Sequence, residues 1–316
     1  MDRTGIHRKL YPSYVTLSEY GELAERIERA YALLTSCTVC PRKCRVNRLN
    51  NERGFCRTGL LPVISSFGPH FGEEPPLVGC QGSGTIFFTF CNLACEYCQN
   101  FTISQTGAGE TISCETLAGM MLDLQRQGCH NINLVSPSHV VPQILNSIGM
   151  AAKQGLTIPI VYNSGGYDSV DTLRLLEGIV DIYMPDAKYG SDEIARILSH
   201  TPDYVVSMKT ALKEMYRQVG DLVIEKGIAV RGLIIRHLVL PENLAGSDSV
   251  LPWIAEEISR DAYVNIMDQY HWPISIVIPE LFKKKPEYQA LLRPITEREY
   301  EDVVRWAKAA GLHRGF

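Results

Sequence analysis

The segment TFCNLACEYCQN, residues 89–100, places three cysteines close together at the spacing C-x3-C-x2-C: Cys91, Cys95 and Cys98. A closed structural zinc site needs four ligands, so three thiolates do not complete one. Three cysteine thiolates can instead hold a four-iron cluster and leave its fourth iron without a protein ligand. The spacing therefore indicates an iron–sulfur cluster with one iron open to a substrate or a cofactor.

A second group of four cysteines precedes this segment at the spacing C-x2-C-P-R-K-C-x11-C: Cys37, Cys40, Cys44 and Cys56. In a cytosolic chain of this size, grouped thiols indicate metal or iron–sulfur chemistry more often than disulfides, because that compartment keeps cysteine reduced. Four thiolates suit either a tetrahedral zinc ion or a second four-iron cluster. Cys114 and Cys129 fall near the two ends of a predicted helix and are interpreted as packing residues.

The composition excludes several classes of protein. The 316 residues are 45% hydrophobic and 21% charged, with a formal net charge of −4, which predicts one large globular domain or a domain with a small appendage. No long run of one charge sign is present, so we expect no nucleic-acid partner and no membrane partner. The N-terminal stretch MDRTGIHRKLYPSY leads into no apolar segment, so a cytoplasmic location is expected.

Periodicity predicts the elements that position the cysteines. An amphipathic helix is expected within residues 16–35, where four apolar residues share one face: Leu23, Ile27, Tyr31 and Leu34. Residues 37–80 lack periodicity, which favours an irregular segment organised by a metal. From Thr85 onward, short apolar runs alternate with helical segments, two of which end at a glycine.

Six of these apolar runs have the character of buried strands: residues 85–90, 131–136, 159–166, 180–187, 230–240 and 264–270. Crossover helices between such strands imply a parallel sheet that is buried on both faces. Six β-α units can form either a doubly wound sheet or a partial barrel. In both architectures the functional groups gather at the C-terminal ends of the strands.

Polar residues stand at the end of every predicted strand: Cys91, Ser136 and Ser138, Asn163 and Ser164, Asp186 and Lys188, Arg236 and His237, Gln269 and His271. Any one of them is compatible with an ordinary loop position. Because all six strands agree, the pattern predicts that these residues share one functional rim.

These features resemble the radical S-adenosylmethionine (SAM) enzymes, which carry C-x3-C-x-Φ-C with an aromatic residue, here Tyr97, before the last cysteine. The chain resembles in particular the proteins related to the pyruvate formate-lyase activating enzyme. That resemblance extends over roughly residues 37–280 and rests on four stretches: GSGTIFFTFCNLACEYCQNFTIS (82–104), M-x-D-x-K (184–188), IIRHLVLP (234–241) and IMDQYH (266–271).

The resemblance implies an α/β fold, a partial (β/α)6 barrel with an N-terminal Cys-rich metal-binding extension. It divides the chain into residues 1–78 (helix and four-cysteine extension), 79–280 (barrel) and 281–316 (C-terminal helical segment). It also implies that Cys91, Cys95 and Cys98 hold a [4Fe-4S] cluster whose open iron chelates the amino and carboxylate groups of SAM.

The implied activity is reductive cleavage of SAM to methionine and a 5′-deoxyadenosyl radical, followed by hydrogen abstraction from a protein or peptide partner. A flavodoxin- or ferredoxin-type protein is implied as the electron donor. Two alternatives remain open: a radical SAM enzyme that acts on a small molecule, and a non-catalytic iron–sulfur electron-transfer protein. Only the enzymes would cleave SAM.

By the same resemblance, the cofactor-binding residues are Tyr97, Ser136, Ser138, Asn163, Ser164, Asp186, Arg236 and His271, and the catalytic residues are Asp186, Lys188 and Arg236. Ser136-Pro137-Ser138 stands where the family often has Gly-Gly-Glu, and serine hydroxyls can accept the same hydrogen bond. The stretch Tyr162-Asn163-Ser164 stands where glycyl-radical activases carry an aspartate.

Two further expectations concern the region before the barrel. Zinc is favoured over a second cluster at the four N-terminal cysteines, because activases with added clusters usually carry a longer ferredoxin-like insertion. In the segment SFGPHFGEEPPLVG (66–79), His70, Glu73 and Glu74 are candidates to close over the active site, with an exposed loop as the equally weighted alternative.

Overall fold

The computed structural model describes residues 12–270 and 286–316 of the chain. Within those residues a nine-stranded, mostly parallel sheet forms the centre of the molecule. Its strands are β1 (Val63–His70), β2 (Ser83–Phe88), β3 (Glu110–Thr111), β4 (Ile132–Val135), β5 (Ile160–Ser164), β6 (Ile182–Pro185), β7 (Val223–Glu225), β8 (Ile228–Leu238) and β9 (Tyr263–Met267).

The predicted parallel sheet is confirmed. Each of the six apolar runs overlaps one strand, and these strands pair in parallel in the order β2-β4-β5-β6-β8-β9. In the described part of the chain no ladder joins β9 back to β2, so the sheet curves without closing. The fold is an α/β partial barrel with the Cys-rich region at its N-terminal side.

The helices flank the sheet and connect its strands. They are α1 (Ser13–Glu19), α2 (Glu22–Ala32), α3 (Pro75–Val78), α4 (Phe101–Ser104), α5 (Cys114–Arg126), α6 (Val141–Lys153), α7 (Val170–Leu175), α8 (Asp192–Ser199), α9 (Tyr204–Val219), α10 (Ser247–Glu257), α11 (Pro286–Ala290) and α12 (Glu297–Ala310). Short 3-10 turns cover Arg48–Asn50, Pro137–His139 and Pro241–Asn243. None of the helices in the described residues is long and apolar enough to cross a membrane.

Local sequence explains where the crossover helices begin and end. The Ser113 hydroxyl accepts a hydrogen bond from the Thr116 amide at the start of α5, and the chain leaves that helix through Gly128, whose φ is +89°. Cys114 begins α5 and Cys129 follows its end, and both are buried, as predicted for packing residues.

The single helix predicted within residues 16–35 is divided into α1 and α2. Gly21 separates them with φ of +81°, a left-handed conformation that interrupts the helical hydrogen bonds and that glycine adopts without strain. Leu23 and Leu34 of the predicted apolar face are buried, so the face itself is confirmed.

The prediction that residues 37–80 are irregular is wrong for their last third. β1 lies there and pairs antiparallel with β2. Two serines, a glycine and a proline within VISSFGPH weaken the alternation that identifies a strand, and the pairing with β2 supplies the missing stability. The proposed domain boundary at residue 78 falls between these two paired strands, and the domain limits remain a prediction.

The lumen of the partial barrel has an apolar floor. Side chains from the strands and from α3 pack into one buried cluster: Leu77, Val161, Ile182, Met184, Leu222, Ala229 and Ile234. His70 pairs with Ser83 at the start of β2, so the loop that follows β1 lies at the N-terminal ends of the barrel strands. α3 therefore closes the barrel at the end opposite the cysteine loop.

This placement corrects the expectation that His70, Glu73 and Glu74 close over the active site. They belong to the opposite end because β1 runs antiparallel to the barrel strands. Glu74 is buried and accepts a hydrogen bond from the Asn265 side chain at 2.9 Å, so it points into the lumen from below.

His237 is on the face of β8 opposite Arg236 and is fully buried. Its Nδ1 lies 2.6 Å from the carbonyl oxygen of Ala187, which only an N–H group can approach as a donor, and its Nε2 then accepts from the Ser247 hydroxyl at 2.7 Å. Burial lowers the pKa of His237 from 6.5 to about 4. The ring is therefore neutral and joins β8 to the loop after β6 and to α10.

We expect the free energy of unfolding to fall as the pH is lowered from 6.5 to about 4. In this window the unfolded chain protonates His237 and the folded chain does not, so the unfolded state binds more protons. We expect the free energy of unfolding, measured by urea unfolding at several pH values, to change less steeply with pH in His237→Gln than in the wild type. The difference should correspond to about one proton. The exposed residue His313 provides the control: His313→Gln should keep the wild-type slope, and a wild-type slope in His237→Gln would contradict the assignment.

Candidate active site

A cavity of about 240 Å³ opens at the C-terminal ends of the barrel strands. Ten of the predicted site residues line it: Cys91, Cys95, Tyr97, Cys98, Ser136, Asn163, Ser164, Asp186, Lys188 and Arg236. Gln269 lines it as well. The predicted rim is therefore a single site, and each of the six strands brings at least one predicted residue to it. His271 lies outside the described residues.

Ser138 is the predicted residue that the structure turns away from the cavity. It is buried, and its side chain hydrogen-bonds to Tyr162 and Asp168. The Asp168 carboxylate also accepts hydrogen bonds from Tyr162 at 2.8 Å and from Ser164 at 2.6 Å. The sequence did not predict a role for Asp168. Its carboxylate holds the Ser164 hydroxyl by a hydrogen bond on the side away from the cavity.

The three-cysteine loop follows β2 and begins at Phe90, a non-glycine residue in the left-handed region with φ of +68°. Each thiol has a hydrogen-bond partner: the amide of Leu93 for Cys91 at 3.4 Å, the hydroxyl of Ser199 for Cys95 at 2.9 Å, and the hydroxyl of Ser104 for Cys98 at 3.2 Å. Burial raises the pKa of Cys91 to about 12 and of Cys95 to about 11, and the charge of Lys188 opposes both shifts.

The donor set fits a four-iron cluster with one open iron. The three thiols line the cavity together with Asp186 and Lys188, and among the described residues neither a fourth thiol nor an imidazole lines it. Hydrogen bonds to ligand sulfurs are the usual way in which a protein tunes such a cluster. An iron cluster would also replace the protons that burial holds on these thiols, since coordination deprotonates cysteine.

A chain of buried hydroxyl groups leads to Cys95. Tyr97 lies 2.6 Å from Tyr189, Tyr189 lies 2.7 Å from Ser199, and Ser199 lies 2.9 Å from the Cys95 sulfur. Because Ser199 donates its only hydrogen to Cys95, Tyr189 must donate to Ser199 and Tyr97 to Tyr189. All three hydrogen bonds point toward the sulfur, and donors in such a chain strengthen one another.

Replacing Ser199 by alanine should make the reduction potential of a cluster held by Cys95 more negative. A hydrogen bond to a ligand sulfur stabilises the reduced, more negatively charged state, and the substitution removes it. An anaerobic redox titration followed by electron paramagnetic resonance measures the shift. Tyr189→Phe, which acts one step further away, should shift the potential in the same direction by less. Equal potentials for Ser199→Ala and the wild type would contradict this role.

An ion cluster lines the same cavity as the three cysteines. One carboxylate oxygen of Asp186 accepts from Arg236 Nε at 2.8 Å and the other accepts from Lys188 Nζ at 2.5 Å. Arg236 Nη2 also donates to the Asn163 side chain at 2.6 Å. Burial alone would raise the pKa of Asp186, but the charges of Arg236 and Lys188 hold it below its ordinary value. Two cations thus share the Asp186 carboxylate, and the charges of Glu74 and Glu73 also act on Arg236.

The Tyr204 hydroxyl holds this corner of the sheet together. It lies 2.9 Å from the carbonyl oxygens of both Gly165 and Asp186 and accepts from the Lys188 amide at 3.0 Å. Gly166 is required here because its φ is +75° and a Cβ atom would lie 2.1 Å from the Asp186 carbonyl oxygen. The ends of β5 and β6 are therefore locked beside the ion cluster.

The four N-terminal cysteines line a second, smaller cavity of about 10 Å³. Cys37, Cys40 and Cys56 are buried, and burial raises the pKa of Cys40 to about 12, with the other three thiols adding to the shift. Arg42 extends from this group to the three-cysteine loop, where its Nε donates to the Asn92 carbonyl oxygen at 2.7 Å. The two cysteine groups are therefore in direct structural contact.

Comparison with known proteins agrees with this geometry. The Radical SAM superfamily matches residues 85–245, just over half of the chain. Uncharacterized protein MJ0674 of Methanocaldococcus jannaschii is 31% identical over 294 residues, which cover 91% of this chain and 78% of that protein.

Among solved structures, the fold is similar to HydG, a maturase of the [FeFe]-hydrogenase, with a TM-score of 0.48 and 11% identity over 71% of this chain. The HydG of Carboxydothermus hydrogenoformans gives a TM-score of 0.44 and 12% identity over 69% of this chain. The chain spans about half of these two proteins, 48% and 54% of their lengths. It is the sequence match over the barrel, together with the three thiols that line its cavity, which identifies the family: the chain belongs to the radical SAM superfamily.

Proposed function

We propose that this protein cleaves SAM reductively and abstracts hydrogen from a protein or peptide partner, as the enzymes related to the pyruvate formate-lyase activating enzyme do. The observation that carries the proposal is the set of three cysteine thiols that line one cavity with a buried ion cluster, at the C-terminal rim of a partial barrel. A four-iron cluster and SAM, when bound there, would supply the reductive cleavage and the 5′-deoxyadenosyl radical.

The chain's own residues bind and orient the cofactor. Asp186 keeps the side chains of Lys188 and Arg236 fixed, and those cations supply hydrogen-bond donors for carboxylate and hydroxyl groups. Ser136 and Asn163 present polar atoms at the neighbouring strand ends. The buried setting excludes water and strengthens each of these contacts.

The size of the cavity supports a macromolecular partner. Pockets that enclose whole ligands usually measure about 300–1,000 Å³. The cavity here measures about 240 Å³, so a bound cofactor would fill it. A substrate would then meet the radical at the mouth, which suits a loop of another chain. An external flavodoxin- or ferredoxin-type protein is the electron donor in this proposal.

The first experiment tests the class of enzyme. Anaerobically reconstituted protein is mixed with SAM and dithionite, and 5′-deoxyadenosine is measured by chromatography. We expect reductant-dependent 5′-deoxyadenosine. A protein whose cluster is reduced while SAM stays intact would be an electron-transfer protein, and the proposal would fail.

The second experiment tests the class of substrate. An extract of the source cells grown in heavy water is separated by ultrafiltration into macromolecules and small molecules, and each fraction is added to the reaction. Abstraction transfers deuterium from the substrate to 5′-deoxyadenosine, which mass spectrometry detects. We expect the label from the macromolecular fraction only.

One observation favours a small-molecule substrate as the second candidate. Asn133 is on the same face of β4 as Val135, which lines the cavity; its buried amide can donate to the Glu73 side chain, but no described residue donates to its amide oxygen. Deuterium transfer from the small-molecule fraction would support this candidate.

A further inference from the structure

The four N-terminal thiols line one small cavity but are not arranged around a single metal ion. Zinc–sulfur bonds of about 2.3 Å would hold four sulfurs in mutual contact and leave no void among them. Cys37, Cys40, Cys44 and Cys56 instead line a common cavity of about 10 Å³. Within the described residues no three Cys, His, Asp or Glu side chains are arranged to hold one metal ion.

The catalytic cysteines provide an internal reference for this spacing. Cys91, Cys95 and Cys98 line one cavity and likewise do not form a single-ion site. Their family motif belongs to a four-iron cluster, in which iron and sulfide stand between the thiolates. The N-terminal group likewise forms no single-ion site, and it has four thiols, which suffice for all four irons.

A buried cation beside the thiols calls for negative charge. Arg48 is 1% exposed and lines the cavity, and its Nη1 lies 3.9 Å from the Cys37 sulfur. Its other hydrogen bonds go to neutral carbonyl oxygens, those of Gly59 at 3.1 Å and His139 at 2.7 Å. Arg48 Nη2 makes no hydrogen bond to any described residue, and none of the described residues lining the cavity is acidic. Metal-bound thiolates would supply the missing anion.

The backbone around the thiols is built to bring them together. Gly54 packs against Cys44: a Cβ atom at this position would lie 2.7 Å from Cys44 Cβ and 2.8 Å from its sulfur. Three non-glycine residues next to the cysteines have positive φ: Lys43 (42°), Arg45 (62°) and Arg57 (52°). Such conformations cost of the order of 1–3 kcal/mol each and persist where the surroundings enforce them.

Arg42 links this group to the catalytic loop. Its guanidinium donates to the carbonyl oxygens of Asn92 at 2.7 Å and His200 at 2.9 Å and stacks 3.4 Å above the Phe55 ring. Asn92 directly follows the catalytic residue Cys91 and also lines the N-terminal cavity. The charge of Arg42 is close enough to act on Cys40, Cys44 and Cys91.

We propose that Cys37, Cys40, Cys44 and Cys56 hold a second four-iron cluster, in preference to the zinc ion that the sequence favoured, and that Arg42 positions it against the catalytic loop. All four irons have protein ligands, so this cluster binds no SAM. It is a one-electron centre that is reduced by an external one-electron donor. The proposal requires no particular substrate.

Metal analysis of the anaerobically reconstituted full-length chain tests the proposal directly. We expect about eight irons per chain and no stoichiometric zinc, because each four-iron site contributes equally. Cys91→Ala/Cys95→Ala/Cys98→Ala should keep about four irons and, when reduced, a paramagnetic signal that SAM does not change. Cys40→Ser/Cys44→Ser should keep about four irons with a signal that SAM does change.

Other results would overturn the proposal. One zinc per chain with about four irons, or about four irons alone in the wild type, excludes a second cluster. The iron content of the wild type remains a valid test even if a variant does not fold, and circular dichroism identifies such a variant. None of these measurements requires turnover of SAM, so failure of the second cluster and failure of the proposed enzymatic function give different results.

Two further substitutions test the geometry. Gly54→Ala should displace the Cys44 thiol and lower the iron content from about eight to about four, whereas Gly68→Ala, with no atom within 4 Å of the added Cβ, should keep about eight. Arg42→Gln, made in the background without catalytic cysteines, should make the potential of the remaining cluster more negative, because a nearby positive charge is lost. The exposed Arg53→Gln provides the control. Unchanged iron in Gly54→Ala, or equal potentials for Arg42→Gln and Arg53→Gln, would overturn these parts of the proposal.

Discussion

The variant Cys91→Ala/Cys95→Ala/Cys98→Ala is expected to form no detectable 5′-deoxyadenosine in the presence of SAM and dithionite, and to contain about four irons fewer than the wild type. The three thiols line the cavity, and each has a hydrogen-bond partner among the surrounding backbone and hydroxyl groups. Without them no other thiol among the described residues lines the cavity to ligate iron. Iron analysis and chromatography of the anaerobic reaction measure the two losses.

Cys80 provides the matched control for this variant. It is exposed and belongs to neither cysteine group, so Cys80→Ala should keep the wild-type iron content and activity. A triple variant that still cleaves SAM would mean that the catalytic cluster is held elsewhere. Circular dichroism of both variants separates loss of the cluster from loss of the fold.

The second large effect is expected for Asp186→Asn, which should weaken SAM binding or slow its cleavage by at least about tenfold, or about 1.4 kcal/mol, with the iron content unchanged. The carboxylate is the shared partner of two buried cations, and Asn matches its shape but lacks the charge and one of the two acceptor oxygens. Lys188 and Arg236 would then repel each other and lose their fixed orientation. Steady-state kinetics of 5′-deoxyadenosine formation, together with calorimetry of SAM binding, shows whether binding or cleavage is affected.

Asp123 provides the control for this prediction, because it pairs with Arg126 on the exposed surface of α5. Exposed pairs contribute about 0–1 kcal/mol, so Asp123→Asn should leave the kinetics unchanged. Removal of one member of a buried ion pair can also destabilise the fold by about 3–5 kcal/mol, so urea unfolding accompanies the kinetics. If Asp186→Asn is folded, has the full iron content and keeps wild-type kinetics, the ion cluster has only a structural role.

The parts of the fold that follow from local pattern could be predicted. Apolar runs of strand length, separated by crossover helices, identify six parallel strands, and the strand ends then bring Asp186, Lys188 and Arg236 to one rim. The spacing of the thiols identifies both cysteine groups, because it too can be read from a short stretch of sequence. Each of these signals lies within a few residues of chain.

Features that depend on distant contacts could not be predicted. Tyr97 and Tyr189 are 92 residues apart, and Ser199 is 104 residues from Cys95, so no local pattern reveals the hydroxyl chain. Strand β1 gains its stability from pairing with β2. The direction of Ser138 was also beyond the sequence, because it depends on Asp168, which turns the serine away from the cavity.

The plug that α3 forms at the floor of the lumen imposes an order on the proposed reaction. In the described part of the chain, the apolar cluster around Leu77 blocks the floor, so ligands enter and leave at the rim, where the cofactor would also bind. A partner protein docked at that mouth would trap whatever lies beneath it. Steady-state kinetics should therefore show an ordered mechanism, in which SAM binds first and its products are released last. Excess partner should inhibit the reaction by binding at the mouth before SAM has entered.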